Sequence, residues 1–181
     1  MQLEGKNVLL KLMQYRDIEL MRNWRNDKRI NKYFIFRSYI TSSQQERWFR
    51  KLVAASNAYY FLIYVDNQAI GYTEIKNIDF EKKNAETGIL IARPEYRNSL
   101  IPIESSILRN DFSFYNLKLH CLTARILESN KRALRLAKAF GYNMVATEHI
   151  TIDNCPEKVM FLELTLLDYE RYVKKIRPLI N

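Results

Sequence analysis

Three strand-like segments follow one another between residues 59 and 92, and this grouping constrains the fold more than any other feature of the sequence. They read YYFLIYV, QAIGYTEIKNI and AETGILIA; DNQ, which shares Gln68 with the second segment, links the first two, and DFEKKN links the second and third. The turn DNQ predicts a hairpin between the first two segments. Strands that come in groups, instead of alternating strictly with helices, indicate an α+β fold with a mixed sheet. They argue against a doubly wound Rossmann sheet.

Helical and strand-like patterns flank this group on both sides. Ser43 and Glu46 resemble a capping box near the start of one helix, and Ser129 or Asn130 caps another helix that ends at Gly141. The predicted segments are strands at NVLLKLM and KLHCLTARIL, helices at YRDIELMRNWRND, TSSQQERWFRKLVAAS, residues 102–115, SNKRALRLAKAFGY and DYERYVKKIRPLIN, and a hairpin around MVATEHIT and KVMFLEL. This order gives about seven strands with helices on the faces of the sheet.

Length and composition favour one well-packed domain over residues 1–181. The chain is 48% hydrophobic, and it shows no repeat and no linker rich in Pro, Gly or Ser. No apolar run is long enough to span a membrane, and the N-terminus does not resemble a signal peptide. The two cysteines form no CxxC pair, so we expect a reduced, cytoplasmic protein without a disulfide scaffold or a zinc site.

The formal charge of +9 favours an anionic partner. Nucleic acid, a membrane surface and a phosphorylated small molecule are the candidate classes. The basic residues are spread along the chain and form no block or tail. That distribution argues against nucleic acid as the partner.

Several stretches resemble the GNAT family of acyl-CoA-dependent N-acetyltransferases, and together they cover nearly the whole chain. They are MRNWRND, AETGILIARPEYRN and ESNKRALRLAKAFGY, the last with Asn130, Ala133, Leu136, Lys138, Gly141 and Tyr142 on matching positions. Within the family, the closest likeness is to the branch that acetylates amino-sugar nucleotides in pseudaminic acid biosynthesis, followed by the ribosomal-protein N-acetyltransferases. YYFLIYVDNQAIGYTEIKNIDF and NLKLHCL suggest the first branch.

The resemblance implies a GNAT-like fold with a strongly twisted mixed sheet, and acetyl-CoA as co-substrate without a metal. In the family, the strand that reads TGILIA here splays from its neighbour, and the pantetheine arm pairs with the freed backbone. Ile89, Leu90 and Ile91 are therefore expected to bind the coenzyme. Gly88 suits a close approach of the ligand or a bulge, with a plain strand glycine as the alternative.

The resemblance also suggests catalytic residues. Glu86 is the first candidate for the general base and Glu74 the second, with a solvated or salt-bridged carboxylate as the alternative for both. The family's general acid is a tyrosine, and Ala137 stands at its position. Tyr142 and Tyr72 are possible substitutes, and a coenzyme A thiolate also leaves with little assistance because a free thiol ionises near neutral pH.

The segment RNSLIPIE corresponds to the family's pyrophosphate loop but lacks its glycines. Leu100 would crowd a phosphate, and Pro102 removes an N–H group. We expect coenzyme binding to depend on the side chains of Arg97, Asn98 and Ser99, beside Leu100, and to be weaker than usual. Asn130 matches an asparagine that contacts the coenzyme arm, with a pure helix cap as the alternative.

The first two helices and their connection are expected to recognise the acceptor. Arg25 would meet an acidic group such as a nucleotide phosphate, beside Trp24 and Asn26. Tyr33, Phe34 and Phe36 would stack on a ring or a base, and core packing is the alternative for them. Tyr72, on the second strand of the group, completes the substrate-binding candidates.

The sequence therefore predicts an acyltransferase that moves an acetyl group from acetyl-CoA to a primary amine, with a nucleotide-linked amino sugar as the favoured acceptor. A protein N-terminus, a polyamine or an antibiotic amine are alternative acceptors. A non-catalytic binding protein of the same fold is a second hypothesis, and a nucleic-acid-binding module is a third. The acceptor, the acyl chain length and a possible homodimer are left open.

Overall fold

The protein, described here by a computed structural model over residues 1–180, is built on one mixed sheet of eight strands. The strands are β1 (Gln2–Glu4), β2 (Leu9–Leu12), β3 (Tyr59–Val65), β4 (Gln68–Asp79), β5 (Asn84–Ile91), β6 (Cys121–Leu127), β7 (Asn143–Ile152) and β8 (Cys155–Thr165). Their order across the sheet is β1-β2-β3-β4-β5-β6-β8-β7. Neighbours are antiparallel except β5 and β6, which run parallel.

Within residues 1–180, six α-helices connect and cover these strands. They are α1 (Ile18–Asn26), α2 (Lys28–Asn31), α3 (Ser42–Ala55), α4 (Ile101–Asp111), α5 (Lys131–Phe140) and α6 (Leu166–Ile176). The observed order confirms the α+β class and the mixed sheet. The count of about seven strands is one too low because β1, only three residues long, carries no pattern of its own and pairs with β2 at the sheet edge.

The side chains of β3, β4 and β5 divide between two cores. Along β3, Phe61 and Ile63 point into the larger core, whereas Tyr60 and Leu62 point to the opposite face, as the two-residue period of a strand requires. The larger core packs against α4 and α6 and includes Phe112. The smaller core packs under α1 and α3. Each large apolar side chain buried in this way contributes about 1.5–3 kcal/mol relative to an exposed one.

Local signals account for most element ends. Asp66 and Asn67 adopt left-handed backbone angles in the β3–β4 turn, which suits a two-residue hairpin. Asn130 caps α5 by accepting the N–H of Ala133, and Gly141 ends the helix with a φ of +89°.

One predicted cap is wrong. Thr41 and Gln44 form the capping box of α3 that we expected from Ser43 and Glu46, because the helix begins at Ser42, before that pattern starts. That residues 1–181 form a single domain stays a prediction, and its last residue, Asn181, lies outside the described residues.

Candidate active site

β5 and β6 separate soon after they begin to pair, which leaves a wedge in the middle of the sheet. They pair at Asn84–Cys121, Ala85–Leu122 and Glu86–Thr123, and no further pairs join them among the described residues. β5 continues to Ile91 without a partner strand on this side. A strand edge of this kind presents backbone N–H and C=O groups that an extended ligand can pair with.

The backbone of residues 89–91 borders this wedge. The side chains of Ile89 and Ile91 pack into the larger core, and that of Leu90 packs into the smaller one. Their contribution to a ligand would therefore come from main-chain groups.

Two hydroxyl groups lie at the apex of the wedge, the point at which β5 and β6 separate. The Thr87 hydroxyl donates to the carbonyl of Thr123 at 3.2 Å and shares a 2.8 Å hydrogen bond with the hydroxyl of Tyr142. The Tyr142 ring packs beside Ala137, so it occupies part of the space that a larger side chain at position 137 would need. Burial raises the pKa of Tyr142, although the charge of Arg109 and the Thr87 hydrogen bond oppose the change.

A buried guanidinium supports the apex from behind the sheet. Arg109, only 4% exposed, donates to the carbonyl of Gly88 at 3.2 Å and to the hydroxyl of Thr73 at 3.3 Å. Burial lowers its pKa. No carboxylate among residues 1–180 forms a salt bridge with it, and no pattern in the sequence indicated that this helical arginine would face the strands.

Glu74 lies directly over Gly88. The two residues are opposite each other in the β4–β5 register, and a Cβ atom at position 88 would come within 2.8 Å of Glu74 Oε1. A side chain at position 88 would therefore displace the carboxylate. Glu74 is buried and accepts a 2.6 Å hydrogen bond from Lys76 Nζ. Burial by itself would lower the pKa of Lys76. The negative charges and hydrogen bonds of Glu74 and Glu86 outweigh burial, so the pKa of Lys76 is raised.

Glu86 shares this face of the sheet but lies two residues farther from Gly88 and is enclosed by cations. Arg125 reaches its carboxylate at 3.1 Å and Lys76 Nζ lies 3.4 Å away. Asn77 donates a further hydrogen bond of 3.3 Å. The structure thus brings the two candidates for the general base together around Lys76 but gives their carboxylates different surroundings.

The acceptor candidates divide into three groups. Arg25 and Tyr72 lie together above Glu74: the guanidinium stacks 4.9 Å from the Phe34 ring and its buried Nε has no partner among the described residues. Burial and the Glu74 charge raise the pKa of Tyr72, and Arg25 opposes them.

Trp24 packs into the core under α1 and α3, and the Asn26 side chain bonds the backbone of Ile40 in both directions. These two contacts support the protein's own fold. Tyr33 and Phe36 are exposed.

Residues 33–40, here called the strap, cross from α2 to the other half of the sheet. Ile35 packs against Leu127 of β6 and against the hairpin of β7 and β8. Arg37 donates to Glu157 at 2.7 Å, and both side chains are mostly buried. The strap therefore connects α2 with β6 and with the β7–β8 hairpin. Sequence analysis missed this ion pair because 120 residues separate its partners.

The glycine-free loop is held mainly by its own residues. The Arg97 guanidinium donates to the carbonyls of Ile91 and Ala92 at 2.9 and 2.8 Å. The Ser99 hydroxyl accepts the N–H of Ile101. The side chain of Leu100 is exposed at the start of α4.

Two further positions of this region have identified partners. Asn98 accepts a 3.2 Å hydrogen bond from Arg132 of α5. Asn130 uses its side-chain oxygen as the α5 cap. Whether Arg97, Asn98, Ser99, Leu100 and Asn130 bind a coenzyme stays a prediction.

The sequence profile of the acetyltransferase (GNAT) domain matches residues 7–143. The chain belongs to the GNAT acetyltransferase family. It is 34% identical over 120 residues to the acetyltransferase PseH of one Campylobacter jejuni strain, an alignment that covers 66% of this chain and 73% of that protein. PseH of a second strain is 32% identical over 123 residues, with the same coverage.

Solved structures of GNAT enzymes share the fold. A spermidine N-acetyltransferase from Vibrio cholerae, solved with CoA and spermine, superimposes with a TM-score of 0.84 at 20% identity, covering 92% of this chain and 99% of that one. A putative acetyltransferase from T. thermophilus gives a TM-score of 0.81 at 12% identity, covering 99% and 97%. At these identities the likeness concerns the fold alone.

Family membership makes this chain an N-acetyltransferase enzyme, and GNAT enzymes take their acetyl group from acetyl-CoA. Within residues 1–180, no helix is both long and apolar enough to cross a bilayer. The same residues contain no cluster of three or more His, Cys, Asp or Glu side chains suited to a metal ion.

Proposed function

We propose that this GNAT enzyme transfers an acetyl group from acetyl-CoA to the primary amine of a nucleotide-linked amino sugar. The observation that carries the proposal is the wedge between β5 and β6 with the carboxylate of Glu74 above Gly88. The wedge offers an unpaired strand edge to the pantetheine arm, and the carboxylate lies beside the expected position of the thioester.

Glu74 is the better-placed general base. The acceptor amine must be neutral to attack a thioester, so a carboxylate near the reacting carbon has to accept a proton. Glu74 lies over Gly88, whereas the oxygens of Glu86 are engaged by Arg125, Lys76 and Asn77. Glu86 thus acts as an anchor for Lys76, which in turn orients the Glu74 carboxylate.

Tyr142 is the proposed general acid. Its hydroxyl lies at the apex of the wedge and is hydrogen-bonded to Thr87. A tyrosine phenol is protonated at neutral pH and burial raises the pKa of this one further, so it has a proton to donate to the departing thiolate. The nearby charge of Arg109 would stabilise the anions that form there.

Two features support an anionic, ring-containing acceptor. The guanidinium of Arg25 lies beside Tyr72, and its buried Nε has no partner among residues 1–180; Tyr33 and Phe36 expose aromatic rings on the strap. The net charge of +9 disfavours a polyamine, which is itself a cation. The identity to PseH, together with the likeness to the pseudaminic acid branch, supports the amino-sugar nucleotide.

Calorimetry followed by a thiol-release assay tests the proposal. Acetyl-CoA is titrated first, and nucleotide-linked amino sugars and spermidine are then compared as acceptors. We expect saturable binding, with thiol release that is fastest with the amino-sugar nucleotides. No saturable binding at millimolar acetyl-CoA would favour the non-catalytic alternative, and a preference for spermidine would overturn the acceptor class.

A further inference from the structure

The loop before α4 leads into a helix whose first two residues offer no free backbone N–H to an anion. It contains no glycine, and Pro102 has no N–H. The N–H of Ile101 is taken by the Ser99 hydroxyl, and two nitrogens of the Arg97 guanidinium bond the carbonyls of Ile91 and Ala92. A diphosphate at this loop would therefore lack two of the backbone amides that usually hold it at a helix N-terminus.

A second element brings a cation to the same loop. Arg132 lies in the first turn of α5, and its Nε donates to Asn98 Oδ1 at 3.2 Å. One hydrogen bond leaves the other four N–H donors of a guanidinium for a ligand. Within residues 1–180, no carboxylate forms a salt bridge with Arg132, so its charge is not neutralised by the protein.

Arg132 differs from the other cations of its helix. Lys131, Arg135 and Lys138 are also exposed, but none of them has a hydrogen bond to the loop in the part of the chain that the structure describes. Asn98 therefore selects one cation out of four and holds it at the position where the family resemblance puts the diphosphate. A planar guanidinium suits this role because it can donate two parallel hydrogen bonds to phosphate oxygens.

We propose that Arg132, held by Asn98, binds the diphosphate of coenzyme A and compensates for the backbone N–H groups that are missing at Ile101 and Pro102. The inference rests on the proposed use of acetyl-CoA. It revises the expectation from the sequence, in which the guanidinium of Arg97 binds the phosphates. Arg97 instead holds the loop to the end of β5 through the carbonyls of Ile91 and Ala92, and Arg132 binds the phosphates.

The test is calorimetric binding of CoA and of dephospho-CoA to the wild type and to single variants. Arg132→Ala should raise the Kd for both ligands about tenfold, the usual loss for one charge-assisted contact. The Kd of Arg132→Lys should lie between those of the wild type and of Arg132→Ala, because an ammonium keeps the charge without the paired donors. Asn98→Ala should weaken binding less than Arg132→Ala. The control, Arg135→Ala, removes an exposed cation from the same helix and should change the Kd by less than about twofold.

The outcomes separate this inference from the proposed function. If the wild type binds CoA and Arg132→Ala binds equally well, the assignment of Arg132 is overturned alone. The same holds if Arg135→Ala loses as much affinity as Arg132→Ala. If Arg132→Ala weakens CoA but leaves dephospho-CoA unchanged, the arginine meets the 3′-phosphate, and the diphosphate assignment is wrong. A wild type that binds neither ligand would overturn the proposed function as well.

Discussion

At the scale of single residues, neighbours decide what each acidic side chain can do. Glu74 and Glu86 share one face of the sheet and both contact Lys76. Arg125 is a second cation beside Glu86, whereas the carboxylate of Glu74 lies over Gly88, which has no side chain. Two residues of the same type thus differ in their surroundings, and under the proposed function this difference sets their access to the acceptor amine.

Replacing each acid by its amide distinguishes these roles. Glu74→Gln should lower kcat by roughly 100-fold or more, since the amide cannot accept a proton. Glu86→Gln should mainly lower stability, by about 1 kcal/mol given the partly exposed Arg125. Thiol release and thermal unfolding measure the two effects. A large loss of kcat in Glu86→Gln without a change in Tm would reverse the assignment.

The Tyr142 hydroxyl gives a second prediction at this scale. Tyr142→Phe should lower kcat about tenfold or more while the ring still packs beside Ala137. Because the pKa of Tyr142 is raised, the acid form persists beyond the ordinary tyrosine range near pH 10, and kcat in the wild type should fall only at higher pH. The variant should lack this alkaline limb. A variant with the wild-type pH profile would exclude Tyr142 as the acid.

The same pKa change has a consequence for stability. A raised pKa in the folded state means that the folded protein holds the proton more tightly than the unfolded chain. The contribution of Tyr142 is therefore complete below about pH 10 and is lost as the pH rises through the folded-state pKa. In Tyr142→Phe, this part of the alkaline destabilisation should disappear.

At the scale of elements, the strap links the first helices to β6 and to the β7–β8 hairpin on the other half of the sheet. The ion pair of Arg37 and Glu157 holds it from one side, and Asn26 holds its end at Ile40. Asn31 donates to the carbonyls of Arg25 and Arg37. The strap is thus held at several points, and the position of its exposed aromatic rings depends on these few contacts.

Exchanging the charges of the strap pair tests this role. Arg37→Glu should raise the KM for the acceptor about tenfold and leave the Kd for acetyl-CoA unchanged. Adding Glu157→Arg should restore much of the lost affinity. The exposed pair of Arg50 and Glu46 offers a matched control, since Arg50→Glu should leave both constants unchanged. Failure of the double variant to recover would mean that the pair does not hold the strap by charge.

The glycine-free loop gives a second prediction at this scale. Replacing Leu100 and Pro102 by glycine should tighten CoA binding severalfold, because a crowding side chain is removed and an N–H is restored. Glycine costs up to about 1 kcal/mol in a helix, so a small fall in Tm is expected as well. Calorimetry decides: an unchanged or weaker affinity would mean that the two residues do not limit coenzyme binding.

At the scale of the whole molecule, net charge should control how substrates reach the site. A charge of +9 attracts a nucleotide-linked sugar and repels a polyamine. Raising the salt concentration from about 20 mM to about 200 mM shortens the range of both effects. The kcat/KM should then fall for an anionic acceptor and rise or stay constant for spermidine. The opposite ordering would contradict electrostatic steering.

The sequence by itself determined the elements and the family. Grouped strands specified a mixed sheet, Asn130 and Gly141 marked the ends of α5, and short motifs carried the likeness to GNAT enzymes. These signals are local: each depends on hydrogen bonds or side-chain periods within a few residues, so the printed order is enough to find them.

Only the tertiary structure decided which of these residues meet. It put Glu74 over Gly88, turned Arg97 toward the carbonyls that end β5, and brought Arg132 to Asn98 and Arg37 to Glu157. Such pairs link residues far apart in the chain, and their side chains have no spacing that a sequence pattern can record. Their positions follow from the packing of whole elements on the sheet, which is fixed only when the complete chain folds.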